Sequence, residues 1–194
     1  IKGVSSTITA FSPQATGVLY DGIFKIQGGD WITIEGFNMV ENASNTNSTA
    51  ATNDMTEWGV AILQDELSSP NGCQNITILN NSIDLNRTYV NKFGIYSNTN
   101  HKPDLSPISG TGSVAGNHNL KIYGNTITDV NMGIVAVGPG AAADYASVLD
   151  IGGSSLATGN TLTNFGTSAT YSTYPSVNAS ANCTGIYVRY TTDY

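Results

Sequence analysis

Apolar residues along this chain recur in short runs of period two, which predicts β-strands rather than helices. Four such runs are Trp31-Ile-Thr-Ile34, Asn75-Ile-Thr-Ile78, Asn119-Leu-Lys-Ile122 and, more loosely, Val148-Leu-Asp-Ile151. The first three lead into Ile34-Glu-Gly-Phe-Asn-Met39, Ile78-Leu-Asn-Asn-Ser-Ile83 and Ile122-Tyr-Gly-Asn-Thr-Ile127, which align without gaps at a spacing of 44 residues. A fourth copy, Gly159-Asn-Thr-Leu-Thr-Asn-Phe165, matches Gly124-Asn-Thr-Ile-Thr-Asp-Val130 at a spacing of 35. Each copy is followed by a third run that opens on glycine: Gly59-Val-Ala-Ile62, Gly94-Ile-Tyr-Ser97, Gly133-Ile-Val-Ala136 and Gly185-Ile-Tyr-Val188. No stretch combines sustained helical periodicity with capping residues.

A triplet of short strands that repeats with variable insertions has one good physical solution, an all-β parallel β-helix of about four to five coils, built as a single domain over residues 1–194. Successive coils stack at strand spacing, about 4.8 Å, with alternate Ile, Leu and Val pointing into a narrow core. Gly36, Asn80, Gly124 and Gly159 fall at the turn between first and second strands. Gly and Asn tolerate a left-handed backbone there best. Asn81, Asn125 and Asn160 occupy the next position, where stacked amides can form a hydrogen-bond ladder along the axis. Long connections follow the third strands, and insertions on one edge of a solenoid usually build its interaction face.

The Ile-x-Gly-Asn-Thr-Ile turns and Gly-Ile-Tyr strands resemble those of right-handed parallel β-helix proteins of the pectate-lyase-like superfamily. More specifically, Asn125-Thr-Ile-Thr-Asp-Val-Asn-Met-Gly-Ile-Val135, Asp150-Ile-Gly-Gly153 and Thr158-Gly-Asn-Thr-Leu-Thr-Asn-Phe-Gly166 are similar to repeats in large secreted surface proteins of Bacteroidetes-type bacteria. The resemblance covers roughly residues 30 to 190. It implies a right-handed solenoid, an extracellular or cell-surface location, and export by the type IX secretion machinery as a partner. It does not imply one function, because such folds host lyases, hydrolases, adhesins and passive stalks alike.

Composition narrows the partners. Gly, Asn, Thr and Ser supply 84 of the 194 residues, which suits turns and outward strand positions, and 11% of residues are charged. A net charge of −7 argues against nucleic acid and anionic membrane as partners. The best apolar run, Ile134 to Val137, is far below the roughly 18 residues of a membrane helix, so no membrane insertion is expected. The start at Ile1-Lys2 and the lack of a cap after the last third strand lead to the expectation that these residues belong to a longer protein or assembly. Cys73 and Cys183 read as two buried thiols, with a bond between them as the alternative. The seven Asn-x-Ser/Thr sequons, at Asn42, Asn47, Asn75, Asn80, Asn86, Asn178 and Asn182, are what a chain this rich in Asn, Ser and Thr makes by chance.

Candidate chemistry is sparse. Glycoside hydrolysis needs two carboxylates at a defined separation. The outward rows Glu35/Leu79/Tyr123, Val40/Asp84/Thr128/Thr163 and Glu41/Leu85/Asp129/Asn164 place no two carboxylates at the same position on neighbouring coils. Glu41 and Asp129 lie two coils apart, roughly 9–10 Å by strand spacing, and form the one catalytic alternative. A lyase needs a base and a calcium cluster, yet Arg87 and Arg189 sit in no catalytic motif. Asp54 with Glu57, and Asp65 with Glu66, are the calcium candidates, and acidic loops that keep the solenoid soluble are the plainer reading. His101 and His118 have no metal-ligand spacing and read as surface histidines. Finally, the third strands align Ala61, Tyr96, Val135 and Tyr187, with Arg189 facing the same way as Tyr187. This strip either stacks on sugar rings or packs under the long loops, and packing is favoured. The expectation is a non-catalytic surface module with no required cofactor, acting as stalk, adhesin or glycan-contacting segment. A polysaccharide lyase or glycoside hydrolase is the competing reading.

Overall fold

The computed structural model describes residues 1–49, 51–65, 70–89, 91–108, 114–167, 174, 176–177 and 184–192. The described chain is all-β apart from two single-turn 3-10 segments, and its strand pairs are parallel. One sheet holds β1 (Lys2–Thr9), β3 (Thr33–Val40), β5 (Thr77–Leu79), β6 (Ser82–Asp84), β8 (Leu120–Tyr123), β9 (Thr126–Thr128), β12 (Leu149–Ile151) and β13 (Thr161–Leu162). The second stacks β2 (Gly22–Gln27), β4 (Trp58–Leu63), β7 (Phe93–Asn98), β10 (Met132–Val137) and β14 (Thr184–Arg189) in chain order. A short pair joins β11 (Ala146–Ser147) to β15 (Thr191–Thr192).

The register follows the 44-residue spacing. Ile34, Ile78, Ile122 and Ile151 face one another along the first sheet, and Met39, Ile83, Ile127 and Leu162 form a second row. In the second sheet the rows are Phe24, Val60, Ile95, Ile134, Ile186 and Ile26, Ile62, Ser97, Ala136, Val188. These rows meet in one apolar core. Burying each Ile or Leu side chain there contributes about 1.5–3 kcal/mol. The glycines that open the first three of the glycine-led runs are required by close approach. A Cβ on Gly59, Gly94 or Gly133 would sit 2.6 Å from the carbonyl oxygen of the next such glycine.

Strand β3 pairs through its first half with β5 and through its second half with β6; in later repeats the stretch breaks into two short strands. The break falls at Gly36, Asn80 and Gly124, which have φ of +76°, +54° and +62°. Gly159 departs from the expectation of a left-handed turn: its φ is −62° and its backbone is extended. The insertion before it has already reversed the chain through Gly152 and Gly153, both at positive φ, and a 3-10 turn at Leu156–Thr158.

The amides beside these turns form a continuous stack. Asn125 Nδ2 donates to Asn160 Oδ1 (3.0 Å), Asn81 Nδ2 donates to Asn125 Oδ1 (3.1 Å), and the Phe37 N–H donates to Asn81 Oδ1 (3.0 Å). Each amide also reaches the backbone of an adjacent rung, as Asn125 Nδ2 does to the Ile78 carbonyl at 2.9 Å. The ladder thereby satisfies buried backbone groups that the broken strands leave over. Cys73 is a free thiol in the core with Sγ 3.3 Å from the Leu63 carbonyl, and burial pushes its pKa up to about 11. Cys183 lies outside the described residues, as do the sequon positions Asn178 and Asn182.

Candidate functional site

The outward face of the second sheet is covered. Strands β4, β7 and β10 are buried on both faces. Trp58, Ala61, Leu63, Phe93, Tyr96, Met132 and Val135 form a second apolar cluster there. Its lid comes from non-repeating connections, with Leu19, Tyr20, Leu105, Tyr174 and Val177 packed against it. Ala61, Tyr96, Val135 and Tyr187 do share one row. Tyr96, however, has no exposed surface, and Trp58 stacks on it at 5.2 Å with the rings 7° apart. Its hydroxyl lies 2.7 Å from His101 Nε2 and accepts from Asn98 Nδ2 at 2.8 Å. His101 Nδ1 is 2.6 Å from the Lys102 carbonyl, which can only accept; that nitrogen therefore carries the proton and Nε2 accepts from the tyrosine. Tyr96 is thus no sugar platform, and His101 is a buried, hydrogen-bonded residue rather than a surface one; burial lowers its pKa. Tyr187 and Arg189 both donate to the Ser176 carbonyl, at 3.5 and 3.0 Å, and the Arg189 guanidinium lies over the Tyr190 ring at 4.3 Å. They tie down the covering segment.

The carboxylates are similarly engaged. The Glu41 side chain is 4% exposed and pairs with the fully buried Lys92 ammonium. It also accepts from Thr56 N (2.8 Å), Thr56 Oγ1 (3.1 Å), Asn45 Nδ2 (2.9 Å) and Asn42 N (3.0 Å). This cage ties Glu41 to Asn42, Asn45 and Thr56, and both oxygens of the catalytic alternative Glu41 accept from buried donors. Asp129 lies at a left-handed turn and takes its partners elsewhere: Asn164 Nδ2, Thr128 Oγ1 (3.3 Å) and Arg87 Nε (4.0 Å). Glu41 and Asp129 therefore do not flank a common open cleft.

Among the calcium candidates, Glu57 is fully buried, and desolvation pushes its pKa up to about 9. Its Oε2 accepts from the Asp21 N–H at 2.8 Å. A protonated carboxyl in that setting is the wrong form for a cation ligand. Asp54 Oδ1 accepts from the Asn47 N–H at 2.9 Å, holding a loop turn. Asp65 lies near the end of β4, and its partner Glu66 is outside the described residues. Among the described residues no three His, Cys, Asp or Glu side chains gather as a metal site.

Two open surfaces are lined by described residues. Beyond the edge of β12 and β14, a cavity of about 890 Å³ is lined by Leu149, Ile151, Ile186, Val188 and Tyr190. Four of these lie on the inner rows, and Ile186 and Val188 are 45% and 40% exposed. The other is a groove of about 390 Å³ on the outward face of the first sheet, lined by Trp31, Thr33, Asn75, Thr77, Asn119, Lys121 and Val148. Thr33, Thr77, Lys121 and Asp150 form one register row. Trp31, Asn75, Asn119 and Val148 form its wall, each with φ between +54° and +58°. The wall residues stand first in the four alternating runs of the sequence. The aligned Asn75 and Asn119 were the signal that this column is a left-handed corner.

Comparison of the chain with protein-family models, with curated proteins and with solved structures gives no match.

Proposed function

We propose that this chain is a non-catalytic module of right-handed parallel β-helix form, a segment of a secreted or cell-surface protein that acts as a stalk, adhesin or glycan-contacting element. The in-register rows of both sheets support the solenoid reading, and the resemblance to exported bacterial surface repeats supports the location and the type IX route. The observation that carries the non-catalytic reading is the Glu41 cage, since Glu41 is one half of the carboxylate pair that shares a single row position. The exposed inner-row residues Ile186 and Val188 favour a larger assembly in which further β-structure covers that edge.

The test is incubation with uronic-acid and neutral polysaccharides, following unsaturated products and reducing ends. Neither is expected. Turnover that disappears in Asp129→Asn or Glu41→Gln would replace this reading with a lyase or hydrolase.

A further inference from the structure

We infer that the groove on the outward face of the first sheet is a binding site for a neutral, extended oligosaccharide, with Trp31 as its stacking platform. The inference rests on the solenoid reading above and adds the site and the ligand class.

Trp31, Asn75, Asn119 and Val148 occupy equivalent corners, and all four are left-handed. Asparagine tolerates that conformation; a bulky aromatic or β-branched residue does so only at a cost in backbone energy. The two middle corners carry the residue that the backbone prefers, and the two outer ones do not. Core packing offers Trp31 no compensation, because its side chain is 80% exposed, and Val148 is 45% exposed. Strain maintained for a solvent-facing indole points to use at the surface.

The surrounding chemistry fits a sugar chain. An exposed indole offers a flat apolar face to the C–H side of a pyranose ring. Between the two apolar ends lie the Asn75 and Asn119 amides and the Thr33 and Thr77 hydroxyls, which can both donate and accept, as sugar hydroxyls require. These groups recur at the rung spacing, so four rungs span about 14 Å, room for a few sugar units in extended form. Lys121 is the one cation of the groove and its register partner is Asp150, so the charges offset and an uncharged ligand is favoured. Thr33, Thr77 and Lys121 stand on strands of the sheet and the four corner residues stand one or two positions before strands of that sheet, so the site is held in place before a ligand arrives.

The test uses the full chain with cellohexaose, xylohexaose and mannohexaose, and a galacturonic acid hexamer as the charged comparison. Binding is followed by calorimetry and by tryptophan emission. Trp58 is fully buried, so an emission change reports on Trp31. Saturable binding of at least one neutral hexamer is expected. Trp31→Asn should weaken it at least tenfold while leaving the thermal midpoint unchanged or raised, because asparagine suits the corner. Thr77→Val or Asn119→Ala should weaken it about threefold, and Thr161→Val, in β13 and outside the groove lining, should not. Three results would each overturn the inference: no neutral hexamer binds; affinity survives Trp31→Asn; or only the acidic hexamer binds and Lys121→Gln removes it. Binding accompanied by cleavage would keep the groove and overturn the non-catalytic reading instead.

Discussion

The two sheets share one core and differ on the faces they turn away from it. On the first sheet the outward row reads Thr33, Thr77, Lys121 and Asp150, and the face is open to solvent. On the second, Ala61, Tyr96 and Val135 stand in the equivalent kind of row, flanked by Trp58, Phe93 and Met132, and the face is closed. An outward apolar row is an unfinished surface, and here the long connections finish it. Leu19, Tyr20, Leu105, Tyr174 and Val177 from these connections are spent on that packing. The polar row needs no cover and stays available to a ligand.

That contrast can be broken most severely at the closed face. Trp58→Ala removes the ring stacked on Tyr96 and should cost about 3–5 kcal/mol in denaturant unfolding. Thr77→Ala on the open face should stay within about 0.5 kcal/mol. Equal effects would mean the two faces are not different. Lys92→Met leaves Glu41 buried without its cation, and a loss of about 3–5 kcal/mol is expected. A loss below about 1 kcal/mol would show that the 42–57 connection is not pinned by this pair.

The ladder comes next. Asn125→Ala deprives the Asn81 N–H and the Ile78 carbonyl of their buried partners, for an expected loss of roughly 2–4 kcal/mol. Glu57 gives an effect that depends on pH. Its folded pKa, about 9, lies above the ordinary carboxyl value of 4.5. The stability it contributes is therefore fully present below pH 4.5 and is lost as the pH rises toward 9, on the order of 1 kcal/mol per pH unit. Glu57→Gln keeps the neutral form at all pH values. The variant should match the parent near pH 4.5 and exceed it in stability at pH 8, as thermal or urea unfolding at the two pH values will show.

Much of this was legible in the sequence because it repeats. The 44-residue spacing puts Ile78 on Ile34 and Ile122 on Ile78, and it puts Asn125 on Asn81. The closing of the second face does not repeat, so periodicity could not reveal it. Leu19 and Tyr20, Leu105, and Tyr174 come from three unrelated places in the chain. Lys92 and Glu41 are 51 residues apart, out of phase with the repeat. Gly159 misled for a related reason, since the insertion before it supplies the bend that Gly124 makes in its own repeat. Trp31 stood first in an alternating run, but only the backbone angles mark its corner as strained.

The most direct test of the contrast between the faces uses Trp31→Asn, which leaves Trp58 as the only indole. Acrylamide quenching of its emission reads the closed face alone. A blue-shifted emission that acrylamide scarcely quenches is the expected result. Red-shifted emission, quenched as freely as tryptophan in solution, would show that the aromatic row of the second sheet is open. In that case the assignment of the two faces would have to be reversed.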